Sequence, residues 1–103
     1  MSVASTRLHE RRMIALKQAN EVRGLRAKLK QDLHRGTVRL EQILAAGALY
    51  VDTAKVFDLL VAVPKIGPVK AGHLLTIARI SPSKTVGALS GRQRARLIEL
   101  LSR

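Results

Sequence analysis

Apolar positions along the chain fall into short helical runs punctuated by glycine and proline. From about Ser5 to His34 there is no proline and one glycine, Gly24. Ala15, Ala19, Val22, Leu25, Leu29 and Leu33 recur there at steps of three and four residues, which is one face of a helix. A helix from Leu8 to Leu33 would be roughly 40 Å long at 1.5 Å per residue, longer than the body so short a chain can form. The stripe is orderly only from Ala15 onward, so the first two or three turns are expected to protrude.

Gly36 follows His34 and Arg35 as a stop. Thr37 is expected to cap a second helix through Ala46 that buries Leu40, Ile43 and Leu44, with Gly47 ending it. After the connector Ala48–Val51, Asp52 or Thr53 is expected to cap a third helix through about Ala62, with Val56, Leu59, Leu60 and Val63 inward. Pro64 forbids its continuation. Pro68 suits the first position of a fourth helix, which runs to about Ala78 and is expected to bury Val69, Leu74, Leu75 and Ile77. Ser81–Thr85 reads as loop. Ser90 and Gln93 form a capping box for a last helix to Leu101, with Leu97, Ile98 and Leu101 inside. No alternating pattern exceeds three residues, and there is no internal repeat. The expected fold is all-α: a long basic N-terminal helix over residues 1–36, then a compact domain of about four short helices over residues 37–103.

Composition sharpens this. The chain has 103 residues, 47% apolar, with no Cys, no Trp, one Tyr and one Phe. That excludes disulfides and cysteine-ligated zinc, and leaves an aliphatic core. No uncharged stretch approaches the roughly 20 residues that span a bilayer, and the N-terminus lacks the apolar centre of a signal peptide, so a cytoplasmic protein is expected, with no membrane partner. The formal net charge is +12. Residues 1–36 hold nine basic and three acidic side chains, residues 37–63 two and three, and residues 64–103 eight and one. Two basic ends around a neutral middle point to a polyanionic partner, nucleic acid first.

The sharpest local feature is Pro64-Lys65-Ile66-Gly67-Pro68-Val69-Lys70-Ala71. It sets a glycine in a tight turn at the start of a helix, where the backbone can be approached closely and free amides meet the positive end of the dipole. Lys65 and Lys70 flank it, while Pro68 removes one donor. Ser90-Gly91-Arg92-Gln93-Arg94, with Arg96 a turn further on, marks a second helix start whose arginines are candidate phosphate ligands; Lys84 precedes it. Capping alone accounts for Ser90 and Gln93. On the long helix, Arg23, Arg26 and Lys30 line one stripe and form a candidate second surface, and Arg7, Arg11 and Arg12 cluster near its start.

Nothing points to catalysis, a cofactor, a metal or a small-molecule substrate. The seven carboxylates form no acid/base couple, the three histidines lie far apart, and no nucleotide-binding glycine motif is present. Two aromatic rings make no stacking platform for unpaired bases, which favours recognition of duplex backbone or shape.

The run Lys55-Val-Phe-Asp-Leu-Leu60, Pro64-Lys-Ile-Gly67 with Val69-Lys70-Ala71, Ile80-Ser-Pro-Ser83, and Leu89-Ser-Gly-Arg92-Gln-Arg94 resembles the actinobacterial, mycobacterial-type integration host factor over nearly the whole chain. The turn itself is shared more widely among helix-two-turn-helix proteins, including a ribosomal small-subunit head protein and the formamidopyrimidine-DNA glycosylases. The resemblance implies a nucleoid-associated, mainly monomeric protein that binds double-stranded DNA with low sequence preference, bends or compacts it, and assists site-specific phage integration beside an integrase. It implies phosphate contact by the turn carried here by Ile66, Gly67, Val69 and Lys70. Where the family commonly has arginines in the loop before the last helix, this chain has Lys84, Thr85 and Gly87, and Pro68 stands where lysine is frequent. A divergent member is therefore expected. Two other readings stay open on the residues: a ribosome-like RNA binder using the same turn, and a protein-interaction module using the N-terminal helix. The glycosylases' N-terminal proline and zinc finger have no counterpart in a chain that begins Met1-Ser2 and lacks cysteine.

Overall fold

The computed structural model describes the backbone of residues 3–103 and the side chains of residues 9–103. Arg7, in the expected N-terminal basic cluster, lies outside the described side chains. Among the described residues five helices follow one another: α1 (Val3–Arg35), α2 (Leu40–Ala46), α3 (Val56–Ala62), α4 (Pro68–Ile77) and α5 (Gly91–Leu101), with short 3-10 turns at Leu49–Val51 and Val86–Ala88. Among the described residues the only extended pairing is an isolated bridge between Lys55 and Thr85. The all-helical expectation holds.

α2 packs on α5, α3 on α4, and the end of α1 on α3. The core between them is aliphatic: Leu33, Leu40, Leu44, Leu59, Leu60, Leu75 and Leu97 are sealed, with Val51, Val56 and Val86. Tyr50 and Phe57 only lean on it. No described polar or charged side chain is buried, so all chemistry lies at the surface. No described helix is long and apolar enough to cross a membrane.

α1 joins this body only through its last turns, where Leu29 and Leu33 are buried. Every residue from His9 to Asn20 is exposed. The molecule measures 60 × 28 × 23 Å, with a radius of gyration of 16.8 Å, against about 13 Å for a compact chain of this length. The protrusion is thus longer than the two or three turns the apolar stripe suggests. Ala15, Ala19 and Leu25, placed on the inner face by periodicity, are exposed because none of the described helices covers them. The short helices can cover only the last turns of a 33-residue rod.

Three helix-boundary expectations are corrected by tertiary demands on the backbone. Thr37 does not cap α2. Gly36, at φ 76°, closes α1, with Gly36 N donating to Leu33 O and Thr37 N to Asp32 O. Thr37 is thereby spent on the end of α1, its hydroxyl donating to Asp32 O as well, and Arg39 precedes α2 without a side-chain cap. α3 starts at Val56 rather than after Asp52 or Thr53. Residues 52–56 are strapped to the 84–87 loop, with Val56 N donating to Lys84 O, Val86 N to Ala54 O and Gly87 N to Asp52 O. Val69 and Ile77, expected inside, are 89% and 40% exposed, since α4 turns only Ala71, Leu74 and Leu75 to the core. The caps at Gly47, Pro68 and Ser90 stand as expected, the last as a full capping box with Gln93.

Candidate nucleic-acid interface

The candidate residues gather at the two ends of α4, a ten-residue helix roughly 15 Å long. At its start, Val63–Ile66 form a turn closed by Ile66 N donating to Val63 O at 3.2 Å. Pro64 supplies the fixed φ, and Lys65 takes the left-handed position at φ 68°, where glycine is usual. Ile66 is half-buried against the core and anchors the turn, while Lys65, Gly67, Val69 and Lys70 are exposed.

Gly67 has no reason within the fold to be glycine. Its φ of −87° and ψ of 179° suit any residue, and a Cβ built on it meets nothing within 4 Å. The amides of Gly67, Val69 and Lys70 make no hydrogen bond among the described residues, while Ala71 N already donates to Gly67 O at 2.9 Å. Three open donors therefore surround the positive end of α4, and Pro68 contributes none. An anion can reach them because Gly67 carries no side chain in the way.

At the other end of α4 a cleft opens towards α5. It is lined by Lys84, Ser90, Arg92 and Arg96, four of the expected site residues, together with Arg79 and Gln93 over a floor of Ile77 and Ala78. Arg96 is held by Glu99 at 3.1 Å, which also takes Arg103 at 3.0 Å. The Arg96 guanidinium first, then that of Arg103, keeps the Glu99 carboxyl below its ordinary value. These two are the only ion pairs among the described residues, so the other cations of both groups carry uncompensated charge. Gly91 begins α5 with open space at its Cβ, as at Gly67.

Arg94 stands apart. Its Nη1 donates to Leu44 O at 2.8 Å and its Nη2 to Val86 O at 3.1 Å, and the residue is half-buried. It satisfies a carbonyl at the end of α2 and ties the 86–88 turn to α5. The sequence carried a sign of this, since Arg94 lies three and four residues before Leu97 and Ile98, on the inner face of α5. On α1, Arg26 is likewise occupied, its Nε donating to Tyr50 O at 2.9 Å, while Arg23 and Lys30 are exposed. Gly87 also has an internal role: a Cβ there would stand 3.0 Å from Asp52 O, so no side chain fits without displacing the strap.

Residues 29–101 match the S13-like H2TH domain family. Over 92 residues the chain is 39% identical to the integration host factor of Mycolicibacterium smegmatis and 40% identical to that of Mycobacterium tuberculosis, covering 87% of this chain and 88% of each relative. A solved structure of sIHF bound to an 8bp palindromic DNA superposes with a TM-score of 0.74 at 28% identity, covering 82% of this chain and 98% of that one. The chain belongs to the mycobacterial-type integration host factor family, built on a helix-two-turn-helix domain.

Proposed function

We propose that the protein is an architectural DNA-binding protein that grips the phosphate backbone of duplex DNA at both ends of α4, with little regard to sequence. The observation that carries this reading is the turn at Gly67. A glycine the fold does not need sits among three unpaired amides and two free lysines. A phosphate oxygen docked there accepts from the Val69 and Lys70 amides, with the Gly67 amide and the Lys65 and Lys70 ammonium groups beside it. Lys84, Arg92 and Arg96, with the Ser90–Gly91 start of α5, take phosphates further along. Such contacts set position and carry no sequence information. Arg94 takes no phosphate; its guanidinium ties α5 to α2 and to the 86–88 turn. Structural likeness to a DNA-bound relative supports the same partner.

Two contact groups on a rigid helix also favour bent over straight DNA, because bending brings more phosphates within reach. Smooth bending of a 20–30 bp site costs on the order of 1–6 kcal/mol, which a few extra phosphate contacts offset. On this reading the protein acts as a monomer in the nucleoid, compacts DNA and assists integrase complexes, with Arg23 and Lys30 of α1 as a second, weaker surface. The test is the pair Lys70→Glu with Arg92→Glu, measured on two duplexes of unrelated sequence. Affinity is expected to fall alike on both. A loss confined to one sequence refutes backbone recognition, and preference for duplex RNA of equal length in competition moves the reading to an RNA partner.

A further inference from the structure

We infer that Arg79, which neither the turn motif nor the capping box marks, is a phosphate-contacting residue of the cleft; the inference rests on the DNA-binding reading above. Arg79 stands just past α4, after the C-cap Ala78, in the left-handed conformation at φ 57°. Its amide donates to Thr76 O at 3.1 Å and the Ile80 amide to Leu75 O at 2.8 Å. That double closure ends helices throughout globular proteins, and the left-handed position in it is ordinarily glycine, since an L-side chain crowds the following carbonyl. Here the position carries the largest of the basic side chains.

Nothing in the fold compensates for that strain through the side chain. The Arg79 guanidinium makes no hydrogen bond or ion pair among the described residues, and the residue is exposed. Its backbone, by contrast, is fixed. Gln93 uses its Oε1 to accept from Ser90 N at 3.0 Å and its Nε2 to donate to Arg79 O at 2.8 Å. The end of α4 is thus pinned to the first turn of α5, and Arg79 faces the same cleft as Lys84, Arg92 and Arg96. Four cations converge on one concavity with only Glu99 to relieve them, through Arg96. Strained residues held rigidly at a surface site are commonly there for a ligand, and the ligand that suits four converging cations is a polyanion's backbone.

Arg79→Gly separates the side chain from the turn, because glycine adopts the left-handed position without strain. Thermal stability is expected to stay equal or rise, while duplex affinity falls. One lost phosphate contact removes about 0.9 from the slope of log K against log salt, which is roughly eightfold in Kd at 0.1 M salt. Arg79→Lys, which keeps the cation, is expected to recover most of the affinity. Equal weakening on two unrelated duplexes supports the assignment. If the parent protein binds duplex DNA with a salt-dependent affinity and Arg79→Gly matches it in affinity and slope, the Arg79 assignment fails alone. Parent protein that fails to bind duplex DNA at low salt overturns both readings.

Discussion

Arg94 offers the sharpest separation between holding the fold and holding DNA. It carries the same charge as Arg92 and Arg96 on the same helix, yet its guanidinium donates to Leu44 O and Val86 O. Arg94→Met keeps the aliphatic stem and removes both donors, leaving Leu44 O without its donor and Val86 O with the Leu89 amide alone. A hydrogen bond from a charged donor is worth about 1.5–3 kcal/mol. Two that share one half-buried guanidinium are not additive, so about 3 kcal/mol in total is the expected loss. Each kcal/mol shifts the midpoint of a domain near 100 residues by about 4–5 °C, giving a fall in Tm of about 12–15 °C. Circular dichroism melts of parent and variant read this directly. Duplex titrations well below the variant's Tm are expected to return the parent's affinity and salt slope. A variant that melts within about 2 °C of the parent but binds DNA more weakly would refute the reasoning and put Arg94 on the interface.

Two further perturbations probe the interface. Gly67→Val is compatible with the local backbone, and its Cβ meets nothing within 4 Å; its Tm should be unchanged, while duplex affinity drops about tenfold or more as charge-assisted bonds to the turn amides are blocked. Unchanged affinity would mean that no anion approaches Gly67. Glu99→Gln frees Arg96 from its only ion-pair partner, and the salt slope should steepen by up to about 0.9 with little change in Tm. Because the Glu99 carboxyl is held below its ordinary value, the pairing is complete above that value and is lost as pH falls through the depressed one, so acidification of the parent should mimic the variant in part. An Arg96→Ala variant that keeps the parent's affinity and slope would remove Arg96 from the contact set.

Local rules account for what the sequence revealed, and tertiary competition for what it concealed. Gly47, Pro68 and the Ser90–Gln93 box depend on residues within four positions of one another, and each stands where propensity puts it. Thr37 and Asp52 satisfy the same local rule for a cap, yet their backbone groups are claimed by the closure of α1 and by the 84–87 loop. No pattern short of the fold could reveal that. The long helix misled for a related reason: Ala15, Ala19 and Leu25 have the spacing of a buried face, but periodicity does not say whether anything lies opposite. Among the candidate site residues, glycine position and charge are enough to mark the two helix starts. Arg79 is not marked because its left-handed backbone conformation is invisible in the sequence, and Arg94 groups with its neighbours because charge does not distinguish a guanidinium turned inward from one turned out.

The measurement that bears most directly on backbone recognition is the salt dependence of binding to two unrelated duplexes. Lys65, Lys70, Arg79, Lys84, Arg92 and Arg96 are the six cations at the ends of α4. At about 0.9 per phosphate contact they predict a log K versus log salt slope near −5, extending towards about −7 if Arg23 and Lys30 of α1 also engage. The same slope is expected on both sequences. A slope shallower than about −2, or one that differs markedly between the two duplexes, would contradict the account.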